Sequence, residues 1–337
     1  MKRALPGLLL CLLLAGACAA FFLLLPKAPP AEVFVDLPPG TGSSGIARRL
    51  ADAGAVRSRY AFLFLRAWKG GSLQAGEYRF ADPASALEVY RRIQRGDVYT
   101  RAVTVPEGFN LYDIATALEG AGISTRAAFL QGALRNTDLV HTWSPAAASL
   151  EGYLYPDTYR FSRHATVRTV QAAMVARFRV AAAQLRLSGD VARTVTLASL
   201  VEKEVRYDAE RGLAAGVFEN RLRAGMPLQT DPTVIYAALK ASAWTGIIHG
   251  SDLQRESPYN TYRHTGLPPG PICSPGMAAL RAAAHPQETE DLYFVADGAG
   301  HTRFSAGLKE HAAQVEAYRS SLRNAISAPG QPNKIIP

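Results

Sequence analysis

Two carboxylates, Glu202 and Glu204, close an otherwise apolar stretch, Thr194 to Arg206, TVTLASLVEKEVR. At 100° per residue Thr194, Leu197, Ala198, Val201 and Val205 share one face, the pattern of an amphipathic helix packed on a core, and Lys203 projects the other way. Glu202 follows Ala198 and Ser199 at i−4 and i−3, whereas Glu204 follows Leu200 and, a turn further back, Leu197. Glu204 therefore has the more apolar neighbours. Partial desolvation raises a carboxyl pKa, which a general acid working near neutral pH requires. Taken alone, two acids at a helix end also suit a solvated terminus, so the rest of the chain has to discriminate.

Other chemistries find little support. Ser199 shares the helix, but there is no Gly-x-Ser-x-Gly turn, and no glycine-rich loop precedes a Lys-Ser/Thr pair. The seven histidines are scattered without an HExxH, and Cys11 and Cys18 lie in the apolar N-terminus while Cys273 stands alone. Neither a metal, a cofactor nor an internal disulfide is expected. Hydrolysis by paired carboxylates needs a second acid, for which Asp231, Glu151, Asp157 and Glu256 are candidates. Asp231 also reads as the cap of a helix begun by Pro232. One carboxyl group suffices if the substrate brings the nucleophile: an acid protonates a leaving glycosidic oxygen, then as carboxylate takes the proton of a hydroxyl of the same sugar that attacks C1. Such a site wants aromatics for sugar faces and amides or hydroxyls for hydrogen bonds. Tyr155, Tyr159, Tyr259, Tyr262, Gln229, Asn260 and Thr261 are of those types.

The elements that would position these groups read as an α+β chain. Lys2 and Arg3 precede an uncharged apolar run, Ala4 to Leu25. Residues 1–25 thus read as a cytoplasmic stub and transmembrane anchor with the bulk outside the cytoplasm. Ala15 to Cys18 resembles a weak lipoprotein cleavage site, but the run stays apolar beyond it. Residues 26–31, around KAPPA, form a Pro-rich linker. Val35, Pro38, Gly40, Ile46, Ala47, Leu50, Ala53 and Gly54 then recur 68 residues later as Val103, Pro106, Gly108, Ile114, Ala115, Leu118, Ala121 and Gly122. Each copy reads as a strand, a Pro/Gly turn and a helix stopped by glycine, which suggests a small module over 32–125. A larger catalytic domain is expected over 126–327, built around the Glu204 helix, with a disordered tail at 328–337. Within it EGYLYPDTYRF (151–161) reads as extended, and SPYNTYRHTGLPPGPICSPG (257–276) as a long functional loop. The net charge of +9 suits an anionic polymer or lipid. No nucleic-acid signature accompanies it, so nucleic acid is not expected as a partner.

ASLVEKEV (198–205), VFENRLRAGMPLQTDPTVIYA (217–237), YNTYRHTGLPPGPICSPG (259–276) and LYFVADG (292–298), with EGYLYPDTYRF, resemble the YceG-like family of membrane-anchored endolytic murein transglycosylases. The resemblance implies a bacterial envelope protein, single-pass in the cytoplasmic (inner) membrane, with its bulk on the periplasmic side. It also implies a LysM-like N-terminal module, peptidoglycan as substrate and peptidoglycan synthases as partners. The family's reaction cleaves the bond between N-acetylmuramic acid and N-acetylglucosamine without water, leaving a 1,6-anhydromuramic end. Its catalytic glutamate falls on Glu204, with Glu202 in support. For substrate binding the candidates are Gln229, Thr230, Asp231, Tyr259, Asn260, Thr261, Tyr262, Glu151 and Tyr155. Arg303 directly precedes Phe304 where the family pattern sets a histidine two places before that phenylalanine, and His301 is left out of the site. The rival readings are a non-catalytic peptidoglycan-binding scaffold and a hydrolytic muramidase.

Overall fold

A computed structural model describes residues 4–327, so the expected tail at 328–337 lies outside the described residues. The chain packs as two units that divide between residues 101 and 102. The expected anchor is helical as α1 (Ala4–Leu23). The side chains of residues 1–8 lie outside the described set, and among the described residues no helix is long and apolar enough to cross a membrane.

In the first unit β1 (Val33–Leu37) is followed by α2 (Ser43–Asp52), α3 (Arg59–Lys69), β2 (Gly76–Phe80) and α4 (Ala86–Arg95). β1 and β2 pair antiparallel with Val35 opposite Tyr78. Ser58 caps α3, and Ser85 with Glu88 forms a capping box on α4, so side chains satisfy the orphan N–H groups of both starts. Val35, Leu37, Leu50, Phe62, Tyr78 and Tyr90 share one core, against which Phe22 and Leu23 of α1 also pack. The expected linker is not free chain, because Lys27 and Ala84 exchange backbone hydrogen bonds of 3.0 and 3.1 Å.

From Ala102 on, the second unit holds β3 (Arg101–Val105, all but its first residue), α5 (Leu111–Gly120), α6 (Arg126–Arg135) and β4 (Asp157–Phe161), and β3 pairs with β4. The sequence repeat is therefore a structural one, strand-helix-helix-strand in both copies. Its paired glycines, Gly40 and Gly108, turn at φ +81° and +78°, a conformation costly for any residue with a Cβ. The two copies nevertheless belong to different cores. Val103, Val105, Leu111, Ile114 and Leu118 are buried with the larger unit, so the 32–125 module expected from sequence is divided at 101/102. EGYLYPDTYRF is extended only over Asp157–Phe161, because Glu151, Tyr153 and Leu154 turn into the core.

Then come α7 (Val167–Gln184), α8 (Val191–Glu204), α9 (Asp208–Arg223), α10 (Asp231–Lys240), the single turn α11 (Gly250–Leu253) and α12 (Met277–Ala284). The hairpin β5 (Tyr293–Ala296) and β6 (Thr302–Ser305) sets Phe294 opposite Phe304, and α13 (Leu308–Ser327) follows. Asp190 accepts the Arg193 N–H at 2.8 Å and so caps α8. This helix differs from the one-sided stripe expected of it. Val195 to Val201 are buried without interruption, since α9, α10 and α12 all pack on it. Helical order ends at Glu204, and Val205 is extended.

Candidate active site

The end of α8 delivers Glu204 to a cavity of about 290 Å³, lined also by Arg221, Leu228, Gln229, Thr230, Asp231, Tyr262, Phe294 and His311. Glu204 is half-buried there. Removal from water and the neighbouring Asp231 carboxylate push its carboxyl up to about 7, offset in part by the Thr230 hydroxyl and the Arg221 guanidinium. Desolvation and like charge both disfavour the ionised form. A carboxyl group poised there can give and take a proton near neutral pH.

The opposite wall is the segment Leu228 to Asp231. Gln229 holds φ +52°, left-handed for a residue with a Cβ, a conformation that costs on the order of 1–3 kcal/mol and persists only where its surroundings enforce it. They do so through Thr261, whose carbonyl accepts the Gln229 N–H at 3.1 Å and whose hydroxyl accepts the Thr230 N–H at 3.0 Å. Arg221 clips the same segment, donating to the carbonyls of Leu228 (2.7 Å) and Leu292 (2.6 Å). Asp231 is not the cap expected from sequence. Thr230 occupies that position, Asp231 is the first helical residue, and one of its oxygens accepts the Tyr262 hydroxyl at 2.7 Å. A carboxylate in the first turn still faces the positive end of the helix dipole.

The other expected residues divide between support and separate surroundings. Asn260 is wholly buried, its amide donating to the carbonyls of Leu253 (3.0 Å) and Arg255 (2.9 Å) while its Oδ1 accepts the Tyr262 N–H (3.0 Å). It staples the loop instead of facing the cavity, and Thr261, also buried, holds the Gln229 segment. Glu151 and Tyr259 line a different cavity of about 180 Å³. There Glu151, buried and pushed up to about 7 by desolvation, accepts the Leu111 N–H (3.0 Å) and the Tyr236 hydroxyl (2.8 Å). Tyr155 is half-buried, does not line the Glu204 cavity, and accepts the Tyr159 hydroxyl on its carbonyl.

Glu202 points elsewhere as well. Its Oε2 lies 2.8 Å from Nη1 of Arg211 and accepts the Gly276 N–H at 2.9 Å. Gly276 packs closely here, since a Cβ would stand 2.0 Å from the Glu107 carboxyl and push that side chain aside.

Four cavity residues escaped the sequence reading: Arg221, Leu228, Phe294 and His311. Arg221 lies inside VFENRL and is an arginine on a largely buried helix, which is a usable signal because such a cation needs partners. His311, on α13, carries no motif. Its ring stacks on Tyr293 with centroids 5.1 Å apart, and its Nδ1 is buried without a partner. Burial and the Arg221 charge lower its pKa, so the imidazole is neutral at neutral pH.

The sequence model of the YceG-like family matches residues 35–317. A curated relative, the endolytic murein transglycosylase of Bacillus subtilis (strain 168), is 34% identical over 318 residues, 88% of this chain and 87% of that protein. The protein of the same name from Streptococcus pneumoniae (strain ATCC BAA-255 / R6) is 29% identical over 326 residues, and the match covers 87% of this chain but only 59% of that longer protein. Among solved structures, a crystal structure of a yceG-like protein from Listeria monocytogenes superposes with a TM-score of 0.54 at 30% identity, covering 84% of this chain and 98% of that one. A family match over most of the residues, with a 34% identical relative aligned along nearly the whole of both proteins, places this chain in the YceG-like family.

Proposed function

We infer that this chain is an endolytic lytic transglycosylase acting on peptidoglycan, with Glu204 as its catalytic acid and base. The observation that carries the assignment is a single carboxyl group held near neutrality in a cavity, on the residue where the family motif sets its glutamate. In the reaction, Glu204 gives its proton to the glycosidic oxygen leaving with N-acetylglucosamine. The resulting carboxylate takes the proton of the muramic C6 hydroxyl as that oxygen bonds to C1. The C1–O4 bond breaks, the C1–O6 bond forms, the proton returns to Glu204, and no water is consumed. Gln229, Thr230, Asp231 and Tyr262 are the residues placed to touch the sugar. Glu151 is shifted as far but is buried and held by Leu111 and Tyr236, so what favours an enzyme over a passive scaffold is that the Glu204 carboxyl is shifted while only half-buried on a cavity wall. The uncharged run behind Lys2 and Arg3 supports a membrane tether with the bulk of the chain outside the cytoplasm. Attachment there suits a role in terminating or releasing new glycan strands beside their synthases. The repeated strand-helix-helix-strand arrangement supports a LysM-like reading of the N-terminal part.

Mass analysis of murein incubated with the protein tests the reaction. Anhydromuramyl ends are expected, each lighter by one water than a reducing end. Reducing ends carrying solvent oxygen would identify a muramidase, and binding without products a scaffold.

Asp231 supplies a second test. Glu204 has to be protonated to act as the acid, so activity falls as pH rises through about 7. Asp231→Asn keeps an acceptor for Tyr262 but removes the charge that raises Glu204. The alkaline limb of the pH profile is therefore expected to move to lower pH by about half a unit to one unit. A limb that stays in place would show that burial alone sets the Glu204 pKa.

A further inference from the structure

The sequence of α3, RYAFLFLRAWK, buries Ala61, Phe62 and Leu65. On its other face Tyr60, Phe64 and Trp68, spaced i, i+4 and i+8, are 66%, 54% and 67% exposed, and the rings of Phe64 and Trp68 lie 6.1 Å apart. A helix whose outer face meets only water turns polar residues outward, and a contiguous apolar stripe marks an interaction surface. The helix carries Arg59, Arg66 and Lys69 and no acid. The Arg59 guanidinium stands 4.8 Å from the Tyr60 ring, and the Lys69 ammonium 4.8 Å from that of Trp68. Rings with cations beside them compose a helix lying at lipid headgroups, with the rings at the acyl boundary and the cations on phosphates.

The way α1 joins this unit selects a bilayer as the occupant. Leu9, Leu10, Leu12, Leu13 and Leu14 are about 60% exposed, as on a helix meeting lipid. Its far end is built into the unit: Phe22 and Leu23 pack on the core, and the Arg57 guanidinium lies 4.7 Å from the Phe21 ring. Arg57 also donates to the Pro26 carbonyl at 2.7 Å, and Lys27 is paired with Ala84. No slack chain separates the apolar helix from the unit, so seating α1 in lipid brings the surface beside it to the headgroups. α3 packs on α1 and begins two residues after Arg57.

Resting on the membrane-tether reading above, we propose that the Tyr60, Phe64 and Trp68 face of α3, with Arg59 and Lys69, docks on an anionic bilayer surface and holds the N-terminal unit in a fixed pose against the membrane.

The test uses the full chain with Trp143→Phe and Trp244→Phe, leaving Trp68 as its only tryptophan. It is reconstituted in nanodiscs of phosphatidylcholine and phosphatidylglycerol with acyl chains brominated at shallow or deep positions. Trp68 emission is expected to shift to the blue and to be quenched about twofold more by shallow than by deep bromines. Arg59→Gln with Lys69→Gln should weaken that quenching and abolish its dependence on the phosphatidylglycerol fraction. Failure of the chain to float with vesicles would overturn the tether itself. Flotation with Trp68 unquenched would leave the tether standing and overturn the docking. So would Trp68 emission that ignores lipid but responds to soluble glycan strands, which would assign the face to glycan.

Discussion

Glu204→Gln is expected to lower the rate of anhydromuramyl product formation by about 10³-fold or more, because in the proposed reaction one group serves both proton transfers and general acid-base catalysis contributes about 10²–10⁴-fold at a single step. The amide keeps the shape of the carboxyl group, so the fold is expected to survive. Stability supplies an independent reading. The folded pKa of Glu204 lies near 7, above the ordinary value of 4.5, so the unfolded chain releases this proton at lower pH and folding loses stability as pH rises through that window. Glutamine removes this contribution. The variant should match the parent near pH 5 and be the more stable of the two near pH 8, as read by thermal unfolding at both pH values. An inactive variant with that pattern separates lost chemistry from a damaged fold. Activity within about tenfold of the parent would mean that another group is the acid, with Asp231 the first alternative.

The largest stability effect is expected at Arg211. Its guanidinium and the Glu202 carboxylate are 7% and 6% exposed and 2.8 Å apart, and Asp208 lies 3.0 Å from its Nε. Glu202 accepts the Gly276 N–H at the start of α12, and the Met277 N–H reaches Glu107. Two acids thus share one helix N-terminus, favourable for each alone but not for the pair. Burial and the Glu202 charge both raise the Glu107 pKa, and Arg211 counters that. Arg211→Met leaves both carboxyl groups without their cation. Breaking one side of a buried ion pair costs about 3–5 kcal/mol, and urea unfolding near pH 7.5 should show a loss of that size. Burial and the Glu202 charge already push the Glu107 carboxyl up, so it neutralises early as the pH falls and the loss should shrink toward acid pH. Adding Glu202→Leu should restore part of it, since an apolar replacement removes the stranded charge. A single variant within about 1 kcal/mol of the parent would show that solvent reaches the pair and screens it.

These two effects sit seven residues and one helix apart, and the sequence announces them unequally. Helical spacing favours Glu204 over Glu202 as the desolvated acid, yet the Glu202 side chain is 6% exposed; what separates the two is the Arg211 cation on Glu202, and the motifs set the family glutamate at Glu204. The glycine-marked repeat is likewise legible because a few neighbouring residues decide each turn. α8 starts three and ends two residues ahead of the stretch Thr194 to Arg206, and Thr230 holds the cap position of α10 one place ahead of Asp231, since packing and not local preference decides where those helices start and end.

What tertiary structure alone decides is which distant side chains share a cavity. Asn260 and Thr261 have the chemistry of sugar ligands, yet burial turns their hydrogen bonds inward to hold the loop and the strained Gln229. Glu151 is a buried acid of the right type in a different cavity. His311 and Arg221 enter the Glu204 cavity from α13 and α9, with no periodicity or motif to announce the histidine. Helical stripes, caps and turns follow from interactions a few residues apart and can be read along the chain. The composition of a cavity depends on contacts between segments about a hundred residues apart, and only the packed fold brings those together.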